Sequence, residues 1–105
     1  MKKHYDKLIR DRIPEIIEGT GKTYEVRPAL PQEMKDYAHN KLREEVEEFI
    51  ENPCAAEAAD LLEILNFICK RNGIPDSLIR TEKVAQRCTR GGFERGLILE
   101  WVEDT

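Results

Sequence analysis

Apolar residues recur at helical intervals through the middle of the chain. Between Gln32 and Glu51 they fall at Met34, Ala38, Leu42, Val46 and Phe49, a spacing that keeps one helix face apolar. Neither Gly nor Pro interrupts this stretch, and Pro31 stands just before it. Asn52-Pro53 then breaks the pattern. Asn is a favoured N-cap and Pro a favoured first helical residue. The pair therefore predicts the end of one helix and the start of a second, running from Pro53 to Asn72. Gly73 is its natural stop. Pro75-Asp76 opens a third helix reaching Thr89, closed by Gly91-Gly92. Nearer the N-terminus, Leu8-Ile9 and Ile13 to Ile17 predict one or two short helices, with Pro14 opening the second and Gly19 ending it. Thr20 to Leu30 contains Gly21 and Pro28 and reads as irregular, with a short strand near Tyr24-Glu25-Val26. The tail from Gly96 to Val102 is apolar and partly β-branched, which predicts a strand paired with Tyr24 to Arg27. The expected fold class is mainly α, a helical hairpin with a small two-stranded β ribbon near the C-terminus. No repeat or linker divides it, so residues 1–105 are expected to form a single domain.

The polar positions carry an anomaly. Glu runs usually coat a solvated helix face. Glu45 does not fit that reading. With about 100° of turn per residue, Met34, Ala38, Leu42 and Phe49 all lie within roughly 60° of Glu45. Glu48 lies at the edge of the same stripe, Glu44 flanks it, and Glu47 points to the far side. The second helix repeats the arrangement. Cys54, Leu61, Ile64 and Ile68 fall within roughly 60° of Glu57, and Asp60 lies at about the same angular distance. Glu63 is off the stripe and reads as a surface residue.

Folding the hairpin at Asn52-Pro53 matches these acids. Glu48 and Glu57 are equally far from the turn, as are Glu45 and Asp60. Four carboxylates facing one another uncompensated would be costly to bury. A cation between them answers the problem. Carboxylate-only ligation suits Mg²⁺, or Mn²⁺ in its place, and two ions would leave positions for substrate. Inward carboxylates also build di-iron bundle sites, which usually add a Glu-x-x-His pair. Neither His4 nor His39 supplies one, so di-iron is the minor alternative.

Composition narrows the classes. The chain has 17 Lys plus Arg against 21 Asp plus Glu, a net charge of −4. That balance argues against a stable nucleic-acid partner, which needs a basic excess. No apolar run is long enough to span a bilayer, so no membrane partner is expected. The opening residues are too charged for a signal peptide, which points to the cytoplasm. The three cysteines, Cys54, Cys69 and Cys88, form no CxxC pair. A disulfide framework or zinc site is not expected, and Cys54 and Cys69 read as small apolar helix residues.

The EExxE of Glu44 to Glu48, followed by the ExxD of Glu57 to Asp60 on the next helix, resembles the MazG-like all-α nucleoside triphosphate pyrophosphohydrolases. That superfamily also includes phosphoribosyl-ATP pyrophosphohydrolase and the dimeric dUTPases. Lys7-Leu8-Ile9-Arg10-Asp11-Arg12-Ile13-Pro14 and Arg90-Gly91-Gly92-Phe93 resemble one small phosphoribosyl-ATP pyrophosphohydrolase-like subgroup. The resemblance implies that Glu45, Glu48, Glu57 and Asp60 hold Mg²⁺, with Glu44 in support. It implies hydrolysis of a nucleotide between its α and β phosphates, giving the monophosphate and pyrophosphate. In such a site Glu45 or Glu48 would orient or deprotonate the attacking water. One departure is a separation of only eight residues between Glu48 and Glu57, fewer than is usual for the family.

Basic residues are needed for phosphates the metal does not hold. Candidates are Lys41, one turn before Glu45, and Lys7 and Arg10 near the N-terminus, with Arg12 close by. On the third helix Lys83, Arg87 and Arg90 share a face. Lys83 reads equally well as a solvated charge, whereas Arg90 adjoins glycines that permit close backbone approach. Phe49, Phe67, Phe93 and Trp101 can stack on a base, but apolar surroundings favour packing for each. Two alternatives stand beside the nucleotide hydrolase. One is phosphoribosyl-ATP hydrolysis in histidine biosynthesis. The other is a non-catalytic helical interaction module whose acids pair with a basic partner. Two amphipathic helices with acids in the stripe make a poor core alone. A homodimer or higher homo-oligomer, with two hairpins forming a four-helix bundle, is therefore expected.

Overall fold

The computed structural model describes residues 1–104. Among them are four helices and no strand: α1 (Ile13–Gly19), α2 (Met34–Glu51), α3 (Ala55–Arg71) and α4 (Asp76–Arg90). None of these helices is long and apolar enough to cross a membrane. The chain divides into two compact units, Met1–Ile68 and the residues from Cys69 onward.

One short helix forms near the N-terminus rather than two, because Leu8 and Ile9 stay outside helical structure. Pro14 sits in the first turn of α1, where its missing N–H is no loss. A turn over residues 31–33 leads into α2. The Leu30 carbonyl accepts from the backbone N–H groups of Glu33 (3.0 Å) and Met34 (3.2 Å). In return the Glu33 carboxylate accepts from the Leu30 N–H at 2.9 Å. This reciprocal contact satisfies a donor at the helix entrance, and α2 begins at Met34 instead of Gln32.

The turn between α2 and α3 lies where expected, but its capping differs. A residue before proline is disfavoured in the α region. Asn52 accordingly leaves the helix at φ −142° and ψ 78°, while its N–H still donates to the Glu48 carbonyl. It ends α2 and does not cap α3. The first bond of α3 runs from the Ala58 N–H to the Cys54 carbonyl at 2.9 Å, so the helix starts two residues later than Pro53. Cys54 consequently precedes the helix and is exposed, against the expectation of an apolar helix residue. At the other end, Gly73 adopts φ 69°. The Ile74 N–H reaches the Cys69 carbonyl (2.9 Å) and the Gly73 N–H the Lys70 carbonyl (3.1 Å). That pair of bonds is a Schellman stop, and the left-handed residue in it favours glycine.

The core of the first unit is thin. Ala38 on α2 and Ile64 on α3 are its only buried apolar residues among those described. Met34, Leu42, Phe49, Leu61 and Ile68 are half-buried around them, as the stripes predict. Val46, counted with the apolar face from its spacing, is instead exposed, because it lies about 100° from Glu45 on the wheel, and Ile50, Leu62 and Leu65 are exposed as well.

In the second unit α4 starts at Asp76 after an extended Pro75 and ends at Gly91, φ 79°. Ile79 is its one half-buried residue. The expected β ribbon is absent. Neither residues 24–27 nor 96–102 form a strand. Leu97, Ile98 and Leu99 are consecutive and all exposed, without the alternation that buries one face. Strand propensity is realised only through a ladder and a packed face. Phe93 and Trp101 are likewise exposed rather than packed, whereas Phe49 and Phe67 are half-buried.

Candidate metal centre

The acids assemble because the helix stripes place them there. Glu45 is only 5 % exposed, as deep in the first unit as Ala38 and Ile64. One oxygen each from Glu45 on α2 and Glu57 and Asp60 on α3 lie within 4.8 Å of one another. A second group of the same tightness joins Glu44, Glu45 and Glu48 along α2. Glu45 is the hub of both. The expected levels are thus close but not strictly pairwise. Glu45 meets Glu57 as well as Asp60, and Glu48 groups with its own helix.

Partners reach the acids unevenly. Lys41, 17 % exposed at its side chain, donates to Glu45 at 3.2 Å and lies 3.3 Å from Glu44. Lys7 Nζ donates to Glu44 at 3.0 Å. Arg10 Nη2 donates to Asp60 Oδ1 at 2.8 Å. Glu45 Oε2 and Glu57 Oε2, both buried, have no hydrogen-bond partner. A buried carboxylate oxygen without a partner is costly. Five carboxylates here meet three cations, so two negative charges remain when all are ionised.

The electrostatics follow. The negative charge of Glu45 raises the Glu48 pKa above its ordinary value. Burial, a hydrogen bond with Glu45 and the charges of Glu44 and Glu57 act the same way. For Lys41, burial is the largest single influence and lowers its pKa. The Glu45 hydrogen bond and the Glu44 and Glu45 charges outweigh it, and the ammonium is held above its ordinary value. Burial likewise pushes Glu44 up most strongly, yet Lys7 and Lys41 together hold it below the usual carboxylate value.

The donor set suits a hard cation. The oxygens are carboxylate, they come from two facing helices, and two of them are buried and orphaned. Carboxylates without His or Cys match Mg²⁺ or Mn²⁺.

The remaining basic candidates are carried by α1 and α4. Arg87 on α4 donates to Glu94 at 2.8 Å, and that guanidinium holds the Glu94 carboxyl below its ordinary value. Arg90 is the exposed last residue of α4. Arg12 pairs with Glu15 on α1, and Lys83 is exposed. What the sequence did not reveal is that Lys7 and Arg10 rest on carboxylates. Separations of 37 and 50 residues leave no local signal for those pairs. No family model, curated protein or solved structure matches the chain.

Proposed function

We propose that the chain is a Mg²⁺-dependent nucleotide pyrophosphohydrolase of the MazG-like type. One observation carries the reading: Glu45 is buried in an apolar stripe with an orphaned oxygen, within 4.8 Å of carboxylate oxygens of Glu57 and Asp60 on the facing helix. A carboxylate kept for solubility would not lie there, and one kept for pairing alone would have both oxygens satisfied. The EExxE and ExxD resemblance supports the same reading.

Glu45, Glu57 and Asp60 would hold Mg²⁺, with Glu48 beside them and Glu44 in support. When bound, Mg²⁺ supplies charge neutralisation for phosphate oxygens and Lewis acidity. Glu48, outside the Glu45–Glu57–Asp60 group, would then orient the attacking water and take its proton, a role that falls to Glu45 if Glu48 joins the metal ligands. Lys41, Lys7 and Arg10 lie close enough to the acids to bind phosphate oxygens. Water adds across the anhydride between the α and β phosphates, and the products are the monophosphate and pyrophosphate. We propose in addition that two copies pair their α2–α3 hairpins into a four-helix bundle. Exposed Val46, Ile50, Leu62 and Leu65 support that pairing.

The test is pyrophosphate release from a panel of nucleoside triphosphates and phosphoribosyl-ATP, with Mg²⁺ and with EDTA, using Glu57→Gln as control. Release that needs Mg²⁺ and disappears in the variant is expected. If Mg²⁺ neither supports release nor raises the melting temperature, the acids serve an interaction module instead.

A further inference from the structure

The N-terminal segment touches the acidic centre at two points, on two helices. Lys7 reaches Glu44 of α2 and Arg10 reaches Asp60 of α3. Between these cations, Leu8 and Ile9 are half-buried, so the segment is anchored rather than trailing. Asp6 turns the chain just before it at φ 44°, and the Lys7 ammonium also lies 5.7 Å from the Tyr5 ring centroid. The charge pattern has a consequence. Asp60 is one of the three acids whose oxygens cluster across the hairpin, and it is the one already occupied from outside. Glu45 and Glu57 keep orphaned oxygens.

We propose that residues 7–10 form a basic strap that stands in for a divalent cation, and that cation binding at Glu45, Glu57 and Asp60 displaces Arg10 and loosens the strap. This rests on the metal-centre reading above. The physical case is one of competition. The Arg10 and Asp60 side chains are 54 % and 41 % exposed. Exposed pairs of this kind are weak, so a cation held by three carboxylates wins Asp60 readily. The anchor at Leu8 and Ile9 keeps the freed guanidinium near the site, where it is available to a phosphate. The strap thereby links cation loading to the exposure of a cationic arm.

Mn²⁺ binding to the full chain, measured by calorimetry, tests the idea without any substrate. Arg10→Gln should bind Mn²⁺ about two- to five-fold more tightly than the native chain, the range set by an exposed ion pair. Arg12→Gln removes the same charge nearby but not the Asp60 contact, and should bind as the native chain does. Tryptic cleavage after Lys7, scaled to cleavage after Lys22, is the second readout. Mn²⁺ should accelerate it in the native chain and leave it unchanged in Arg10→Gln. Equal affinities for the native chain and Arg10→Gln, or cleavage indifferent to Mn²⁺, would overturn the strap while leaving the metal centre standing. Absence of Mn²⁺ binding in every variant would overturn both.

Discussion

Replacing Glu45 by Gln should make the cation-free protein more stable, although Glu45 is among its most buried residues. The magnitude follows from the distances. The grouped carboxylate oxygens lie within 4.8 Å of one another, and at an effective dielectric near 20 two unit charges at that outer limit repel by about 3.5 kcal/mol. Glu45 faces two such neighbours, Glu48 and Glu57, whereas Glu44 and Asp60 are offset by Lys7 and Arg10. Lys41 at 3.2 Å returns about 5 kcal/mol of attraction on the same scale. The balance is about 2 kcal/mol of net repulsion, which a neutral amide of the same shape removes. Urea denaturation in EDTA should therefore show Glu45→Gln about 2 kcal/mol more stable than the native chain. Addition of Mg²⁺ should reverse the order. At a hundredfold excess over its dissociation constant, a ligand bound only to the folded state adds about 2.7 kcal/mol. The native chain gains this and the variant does not. A variant less stable in EDTA by more than about 1 kcal/mol would refute the reasoning. Glu45 would then be a structural partner of Lys41, with no uncompensated charge to relieve.

Three further outcomes are expected. Lys41→Met strips Glu45 of its one cation and should destabilise the EDTA form by about 1–3 kcal/mol, measured by urea denaturation. Gly73→Ala should cost about 1–2 kcal/mol in the same assay, because φ is 69° there. No atom lies within 4 Å of the added Cβ, so the cost is backbone strain without a clash. Glu33→Gln should show a pH signature. The Arg27 hydrogen bond, then the Leu30 N–H, hold the Glu33 carboxyl below its ordinary value of 4.5. A pKa depressed by folding gives stability that is present above the unfolded value and lost as pH falls through the folded one. The native chain should therefore outlast the variant in thermal melts near neutral pH, and the difference should close as pH falls below about 4.5.

The three longer helices and the hairpin turn were legible because their signals are local. Period, a Pro and a Gly act within a few residues of where they are read. The burial of Glu45 was legible for the same reason: its wheel position beside Ala38 needs only the geometry of one helix. The error at Asn52 was also local in origin. Two rules competed for one residue, N-cap preference and the restriction before proline, and the second prevailed. The missing ribbon was an error of another kind. Residues 96–102 carry strand propensity, but a strand exists only when another segment completes its ladder.

Residue identity and spacing alone determined that α2 and α3 each carry an acid in an apolar stripe. Only the tertiary structure decided which acids meet. The hairpin brought Glu45 to both Glu57 and Asp60 and left Glu48 grouped with Glu44 and Glu45 on its own helix. It also decided that Lys7 and Arg10 rest on carboxylates 37 and 50 residues away. A helix face is set by a repeating backbone geometry that sequence encodes residue by residue. A contact across the chain depends on how separate elements come together, and no short stretch of sequence contains that information.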